Sequence, residues 1–238
     1  MDSEHARFVK LPVKCRTAAV ILHGCGRYDG AETSETISLL IHLCKNGVKY
    51  SLFAPDMNQR TVVNHFTRKP MSETRNVLVE SARHVDASVA PLRELEVTKF
   101  DALLVPGGHG ATVNLSDFDE KRASCVVLDE FRSIVKAFHD AKKPMGFCCI
   151  SSILLALCLP DVEISFGSET DKGGIYRNTF VAEAAKAMGA KHVEREPHCI
   201  HVDEKNKLVT APCYMFSPST IVEVFDEVGR LVDVVIRL

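Results

Sequence analysis

Lys143 to Ser152 reads KPMGFCCISS, a short apolar run ending in two adjacent cysteines and turning at once into small polar residues. A compact apolar segment of this length reads as a buried parallel strand, Met145 to Cys149, and Ser151 to Cys158 reads as the helix after it. A nucleophile carried on the turn from such a strand into a helix is a recurrent enzymatic arrangement. A free cysteine has a pKa of about 8.5, and a helix amino terminus supplies amides and a dipole that favour its thiolate. Alternation sends Cys148 and Cys149 to opposite faces, so at most one enters the crevice at the strand's end. Spacing leaves the choice open: Cys149 has Ser151 two residues on but Phe147 two before, whereas Cys148 has Gly146 before and Ile150 after.

Similar units lie upstream. Ala18 to His23 is an apolar strand halted by Gly24, Cys25 and Gly26, and Ile37, Leu40, Ile41 and Cys44 then recur at helical spacing up to Asn46 and Gly47. Val48 to Ala54 and Phe100 to Val105 are further strands, the latter closed by Pro106, Gly107 and Gly108, with His109 next. Helices are expected at Arg75 to Arg83 and Ala123 to Lys142, and Met57 to Thr74 reads as a long loop offering Asn64 and His65 to a pocket. Further on come a strand in VEISFG, a polar turn or flap in SETDKGGIYRN and a helix at Phe180 to Met188. Short strands with a turn at Glu204 to Asn206 follow, and then a closing helix from Pro218 to Leu238. Strands and helices alternating through short links predict an α/β, doubly wound, mostly parallel sheet with helices on both faces and ligands at its carboxyl edge. The expected organisation is an extension over residues 1–17 and a single domain over 18–238.

Composition bounds the function. With 46% hydrophobic and 25% charged residues and a net charge of −2, the chain has no basic run to suggest a nucleic-acid or polybasic membrane surface. No stretch is long and apolar enough to span a bilayer. Nine cysteines without a CxxC pair and without an apolar leader read as reduced thiols, and the mixed charges of the first 17 residues favour the cytoplasm, with mitochondria as the alternative. Glycines at 24, 26 and 30 do not make a dinucleotide fingerprint, and neighbours such as His198 and Cys199 lack zinc-site spacing, so neither cofactor nor metal is expected. Glu32 and Glu35 share one side of a helix opening, where the simplest role is to complement the dipole.

The segments LHGCGRYDGAETSET, FAPDMNQ, ETRNVLVESAR, DALLVPGGHGATVNLSDF, GFCCI, AMGAKHV and HVDEKNKLVTAP together resemble the DJ-1/PfpI superfamily. The likeness is to its ElbB-like branch, the enhancing lycopene biosynthesis type, which has mitochondrial animal relatives and a glutamine amidotransferase-like, flavodoxin-like fold. It runs in order from about Ala18 to the final helix. It implies that the elbow cysteine is the one followed by Ile150, hence Cys149, and that the acidic partner, twelve residues before Gly47, is Glu35. Glu32 is left as a dipole or pocket carboxylate. Ile150 stands where many hydrolase-like members carry histidine, Ser151 and Ser152 where the branch has Ala-Pro, and His109 where it has an aromatic.

The resemblance implies a cofactor-free, glyoxalase-type conversion of a small 2-oxoaldehyde to a 2-hydroxy acid. Cys149 would be the nucleophile, Glu35 or His109 the proton carrier, and amides around Gly107, Gly108 and Ile150 the oxyanion donors. The alternatives are a redox or stress protein with an oxidisable Cys149, and an amidotransferase-like hydrolase, for which HVDE at 201–204 gives no convincing His-x-Glu match. A small carbonyl compound and a second copy of the chain, in a homodimer, are the expected partners.

Overall fold

The chain starts with helix α1 (Ser3–Phe8), strand β1 (Thr17–Ile21), helix α2 (Thr33–Lys45) and strand β2 (Lys49–Ala54). A hairpin of β3 (Val62–Asn64) and β4 (Lys69–Met71) precedes α3 (Val77–Ser81), β5 (Val89–Pro91) and β6 (Ala102–Val105). Helices α4 (Gly110–Val113), α5 (Phe118–Lys121) and α6 (Asp129–Asp140) lead to β7 (Met145–Cys148) and α7 (Ile153–Cys158). Then come β8 (Glu163–Ile164), α8 (Phe180–Ala187), β9 (Lys191–His192), β10 (His201–Asp203), β11 (Leu208–Ala211) and α9 (Ile221–Val235). This computed structural model describes residues 2–9, 11–85, 88–176 and 178–238. Met1 and Lys10 of the amino-terminal extension and Arg177 of the SETDKGGIYRN stretch lie outside the described residues.

Seven strands form one sheet in the order β10-β11-β7-β6-β1-β2-β5, parallel except for the antiparallel β10–β11 pair. Strands β6 and β7 are buried along their whole length, which is why they read as apolar runs without alternation. From β1 the chain moves outward to β2 and β5, then returns to β6, β7 and β11 on the other side. The order therefore reverses between β1 and β6, and the crevice beyond their carboxyl ends is where such sheets take ligands. The α/β, doubly wound reading is what the structure has.

Alternation along β7 assigns its faces. A Cβ on Gly146 would sit 2.7 Å from Leu231 and 2.9 Å from Val235, so this side packs directly on α9. Phe147 points the other way, edge-on to Phe131 of α6 at 6.5 Å. Cys148 returns to the α9 side, and the next residue leaves the strand.

Several expectations change in detail. The long loop contains the β3–β4 hairpin, turned by Asn64, whose side chain accepts the N–H groups of Phe66 and Thr67 at 3.0 Å each. The expected helix from Ala123 begins only at Asp129, because Val127 pairs with Ser116 in an antiparallel bridge and holds the approach extended. The helix expected at Arg75 to Arg83 is regular only over α3, opened by the Asn76 side chain on Val79 N–H. Edge strand β5, unforeseen, ends on Pro91, a residue an edge tolerates. The VEISFG strand is reduced to β8, paired with β9 outside the main sheet. The amino-terminal extension docks: Phe8 is buried, Glu4 accepts Val202 N–H at 3.0 Å and His5 meets Asp233 of α9 at 3.3 Å.

Two substitutions test this packing. Gly146→Val, in a strand that would otherwise favour valine, should destabilise the fold by about 1–3 kcal/mol through overpacking against α9. Thr220→Ala, which removes the capping box closing the first turn of α9, should cost about 1 kcal/mol. Both should lower the midpoint of urea unfolding while leaving its slope unchanged.

Candidate active site

Cys149 is the first residue beyond β7 and adopts φ +55°, a left-handed conformation that non-glycine residues seldom take. It opens a tight helical turn, Cys149–Ser152, and is 8% exposed. The two serines after it hold this elbow. Ser151 Oγ donates to Cys148 O at 2.7 Å, and Ser152 Oγ donates to Phe147 O at 3.4 Å. The place of Ser-Ser in the sequence is thus structural: the hydroxyls tie the turn back to its strand.

The two glutamates at the start of α2 have separate roles. Glu32 is the N-cap, its Oε2 accepting Glu35 N–H at 2.7 Å and Ser34 Oγ–H at 2.6 Å. Glu35, fully buried, turns inward, and its Oε2 accepts the Gly107 N–H at 2.7 Å. A Cβ on Gly107 would lie 2.5 Å from Cys149 Cβ and 2.6 Å from Glu35 Oε2, so the residue there must be glycine for carboxyl and elbow to meet. Glu35 Oε1 has no hydrogen-bond partner among the described residues.

Burial, reinforced by the charge of Glu32, pushes the Glu35 carboxyl well above its ordinary range, against the pull of the Gly107 N–H. Burial also pushes Cys149 well up, the Glu35 charge adds to it, and the Ile150 N–H and Arg27 oppose it. Both groups are therefore shifted toward their neutral forms, and desolvation outweighs the stabilisation of a thiolate that a helix terminus was expected to supply.

Cys149, Ile150, Gly108, Glu32 and His109 line a small cavity of about 20 Å³, together with Arg27, Asn178, Tyr214 and Met215. That is room for roughly one water or the end of a small ligand. Gly108 is buried and its N–H meets no protein acceptor among the described residues. Gly107 is not free: its amide is engaged by Glu35, so it positions the carboxyl and does not act as an oxyanion donor. His109 sits at the mouth, its side chain 41% exposed and 3.6 Å from Asp119. Asn64 and His65 do not line the cavity. Asn64 is taken up by the hairpin turn, and His65 packs over Gly26, with Nε2 receiving the Tyr28 N–H at 3.3 Å.

Arg27 and Tyr214 were not singled out by the sequence. The guanidinium lies 5.0 Å from the centre of the Tyr214 ring, and the tyrosine hydroxyl meets Ser34 Oγ at 3.0 Å. RYDG directly after the glycine loop was the one available signal for Arg27; Tyr214 arrives from far down the chain and has none. Glu35, Cys148 and Cys213 are the set among the described residues whose ligand atoms come close enough for a metal, all within 4.8 Å of one another and all buried. The late His201 is engaged elsewhere, 2.7 Å from Arg195 and 3.3 Å from Glu163.

No family model matches the chain. It is 40% identical over 234 residues to the human protein called glutamine amidotransferase-like class 1 domain-containing protein 3, mitochondrial, which covers 98% of this chain and 87% of the relative. It is 41% identical over 221 residues to the ES1 protein homolog, mitochondrial, of Rattus norvegicus, covering 92% of this chain and 83% of that one. Among solved structures it resembles an isoprenoid biosynthesis protein with amidotransferase-like domain from Ehrlichia chaffeensis, with 32% identity, a TM-score of 0.80 and coverage of 91% of this chain and 96% of that one. With an elbow cysteine, a buried glutamate and this sheet order already in place, the chain belongs to the DJ-1/PfpI superfamily, in its ElbB-like, glutamine amidotransferase-like branch of ES1-type proteins.

Proposed function

We propose that the chain is a cofactor-independent enzyme of the glyoxalase type, converting a small 2-oxoaldehyde to the 2-hydroxy acid at Cys149. The observation that carries this reading is that Cys149, on its left-handed elbow, and the Glu35 carboxyl, which burial shifts toward its neutral form, both pack against Gly107. The pair titrates as a unit, and its singly deprotonated form can hold the charge on sulfur with the proton on Glu35. The thiolate adds to the aldehyde carbon, and Glu35 delivers its proton to the new alkoxide, held meanwhile by the Gly108 and Ile150 amides. The Glu35 carboxylate then takes the C1 proton and returns it at C2, while the hydroxyl proton of C1 passes to the C2 oxygen, leaving a thioester. Water, deprotonated by Glu35, cleaves the thioester, which frees the 2-hydroxy acid and restores the pair. The sum is oxoaldehyde plus water to hydroxycarboxylate plus one proton.

The small cavity has room for the reactive end of a small substrate, and the absence of a histidine on the elbow fits isomerisation through a carboxyl better than peptide hydrolysis. The mitochondrial names of the relatives favour that compartment over the expected cytoplasm for this chain as well, and the homodimer belongs to the same proposal.

Purified protein should consume methylglyoxal and release lactate, and Cys149→Ala should lower the rate at least about a hundredfold. Equal rates in the two would end the reading. Since both members of the pair are pushed up by burial, the rate should rise with pH above the ordinary carboxyl range as the pair loses its first proton. Stability should move oppositely. Glu35 has a raised pKa in the folded state, so its contribution is complete below the unfolded carboxyl value and is lost as pH rises toward the folded one. Glu35→Gln keeps an acceptor for the Gly107 N–H and cannot ionise. Its melting temperature should match that of the native chain near pH 4 and exceed it by a margin that widens toward pH 8.

A further inference from the structure

The loop ending β1 carries a second sulfur with its own base. Cys25 is half-buried, and its Sγ lies 3.9 Å from His84 Nδ1. His84 Nε2 lies 3.1 Å from the Gly24 carbonyl oxygen. A carbonyl only accepts, so Nε2 carries the hydrogen and Nδ1 turns its lone pair toward the thiol. This is the orientation in which an imidazole can take a proton from sulfur. Burial holds the imidazole below its ordinary pKa, against the Gly24 hydrogen bond and the Glu32 charge, so it is neutral and able to accept at neutral pH. The loop is fixed from beneath, since Ser81 Oγ receives the Gly24 N–H at 2.9 Å and donates to Val77 O at 2.7 Å.

The surrounding amides decide which chemistry this pair can serve. The N–H groups of Gly26, Gly30 and Ala31 are bonded to Ala31 O, Gly26 O and Gly24 O at 2.9, 2.8 and 3.2 Å, and that of Gly24 to Ser81. With these donors engaged, the loop offers an oxyanion few amides, which disfavours acyl transfer. Attack on a disulfide develops charge only on sulfur and needs no such donors. Burial raises the Cys25 pKa, with the Thr33 hydrogen bond and Arg83 opposing it, so the thiolate at rest is scarce. A high-pKa thiol that gives up its proton during attack is, however, the more nucleophilic sulfur.

We propose that Cys25 and His84 form a second reactive site, separate from Cys149, that takes small disulfides by thiol–disulfide exchange. His84 Nδ1 receives the Cys25 thiol proton as the sulfur attacks one sulfur of R–S–S–R. The Cys25–S–S–R bond forms, the S–S bond of the reagent breaks, and the departing thiolate takes the proton from the imidazolium and leaves as RSH. Electrons and protons balance without an outside oxidant.

The test is exposure of the reduced full chain to oxidised glutathione at neutral pH, with adducts assigned to individual cysteines by mass spectrometry over time. Cys25 should be modified before Cys44, which is more exposed but has no histidine contact among the described residues. His84→Gln retains a donor for Gly24 O but no base, and should slow the Cys25 adduct by about tenfold or more near pH 7, with the difference closing at alkaline pH and Cys44 unaffected. Modification of Cys44 first or together with Cys25 would overturn the proposal, as would an unchanged Cys25 rate in His84→Gln. Should that variant fail to fold, the order of Cys25 and Cys44 in the unaltered chain decides alone.

Discussion

The Gly107 amide and a Glu35 carboxyl oxygen meet at 2.7 Å in the interior, and three separate stretches of chain are arranged around that contact. Glu35 arrives from the opening turn of α2, Gly107 from the end of β6, and Cys149 from the end of β7. A side chain at Gly107 would hold the other two apart. The carboxyl reaches this place only in a fold that tolerates it uncharged, since ionising it away from water carries a large penalty. Its second oxygen lacks a hydrogen-bond partner among the described residues, another sign that polar satisfaction is incomplete at this contact.

Desolvation governs this site. The elbow puts Cys149 against amides that would favour a thiolate, and the same compact packing removes the water that would solvate one. Burial wins, and both the carboxyl and the thiol are pushed above their ordinary pKa values. At Cys25 the balance differs: the thiol is half-buried and faces an imidazole whose other nitrogen is tied to Gly24 O. The Cys-His pair missing from the elbow, where Ile150 stands, is supplied on a different loop, one whose amides are used to close the loop upon itself.

The cavity is completed by residues distant in the chain. Arg27 follows β1, Tyr214 follows β11, and the arginine packs over the tyrosine ring, whose hydroxyl bonds Ser34 beside the Glu32 cap. The lining of the cavity is therefore a property of where these elements converge, and no single motif contains it.

The sequence by itself determined the alternation of apolar strands and helices, and with it the doubly wound sheet, because fully buried strands must be apolar on both faces and glycine must end them. It determined that a cysteine stands at the end of β7 and a carboxylate pair at the start of α2. The resemblance chose Cys149, which spacing leaves undecided, and singled out Glu35, which spacing reads as complementing the helix dipole. Tertiary structure alone decided that Gly107 holds Glu35 instead of an oxyanion, that Asn64 serves a hairpin and His65 covers Gly26, and that Ser151 and Ser152 brace the elbow. The physical reason is common to these cases: a hydrogen-bond donor or acceptor has a role only once its partner is fixed, and these partners lie on other strands and loops.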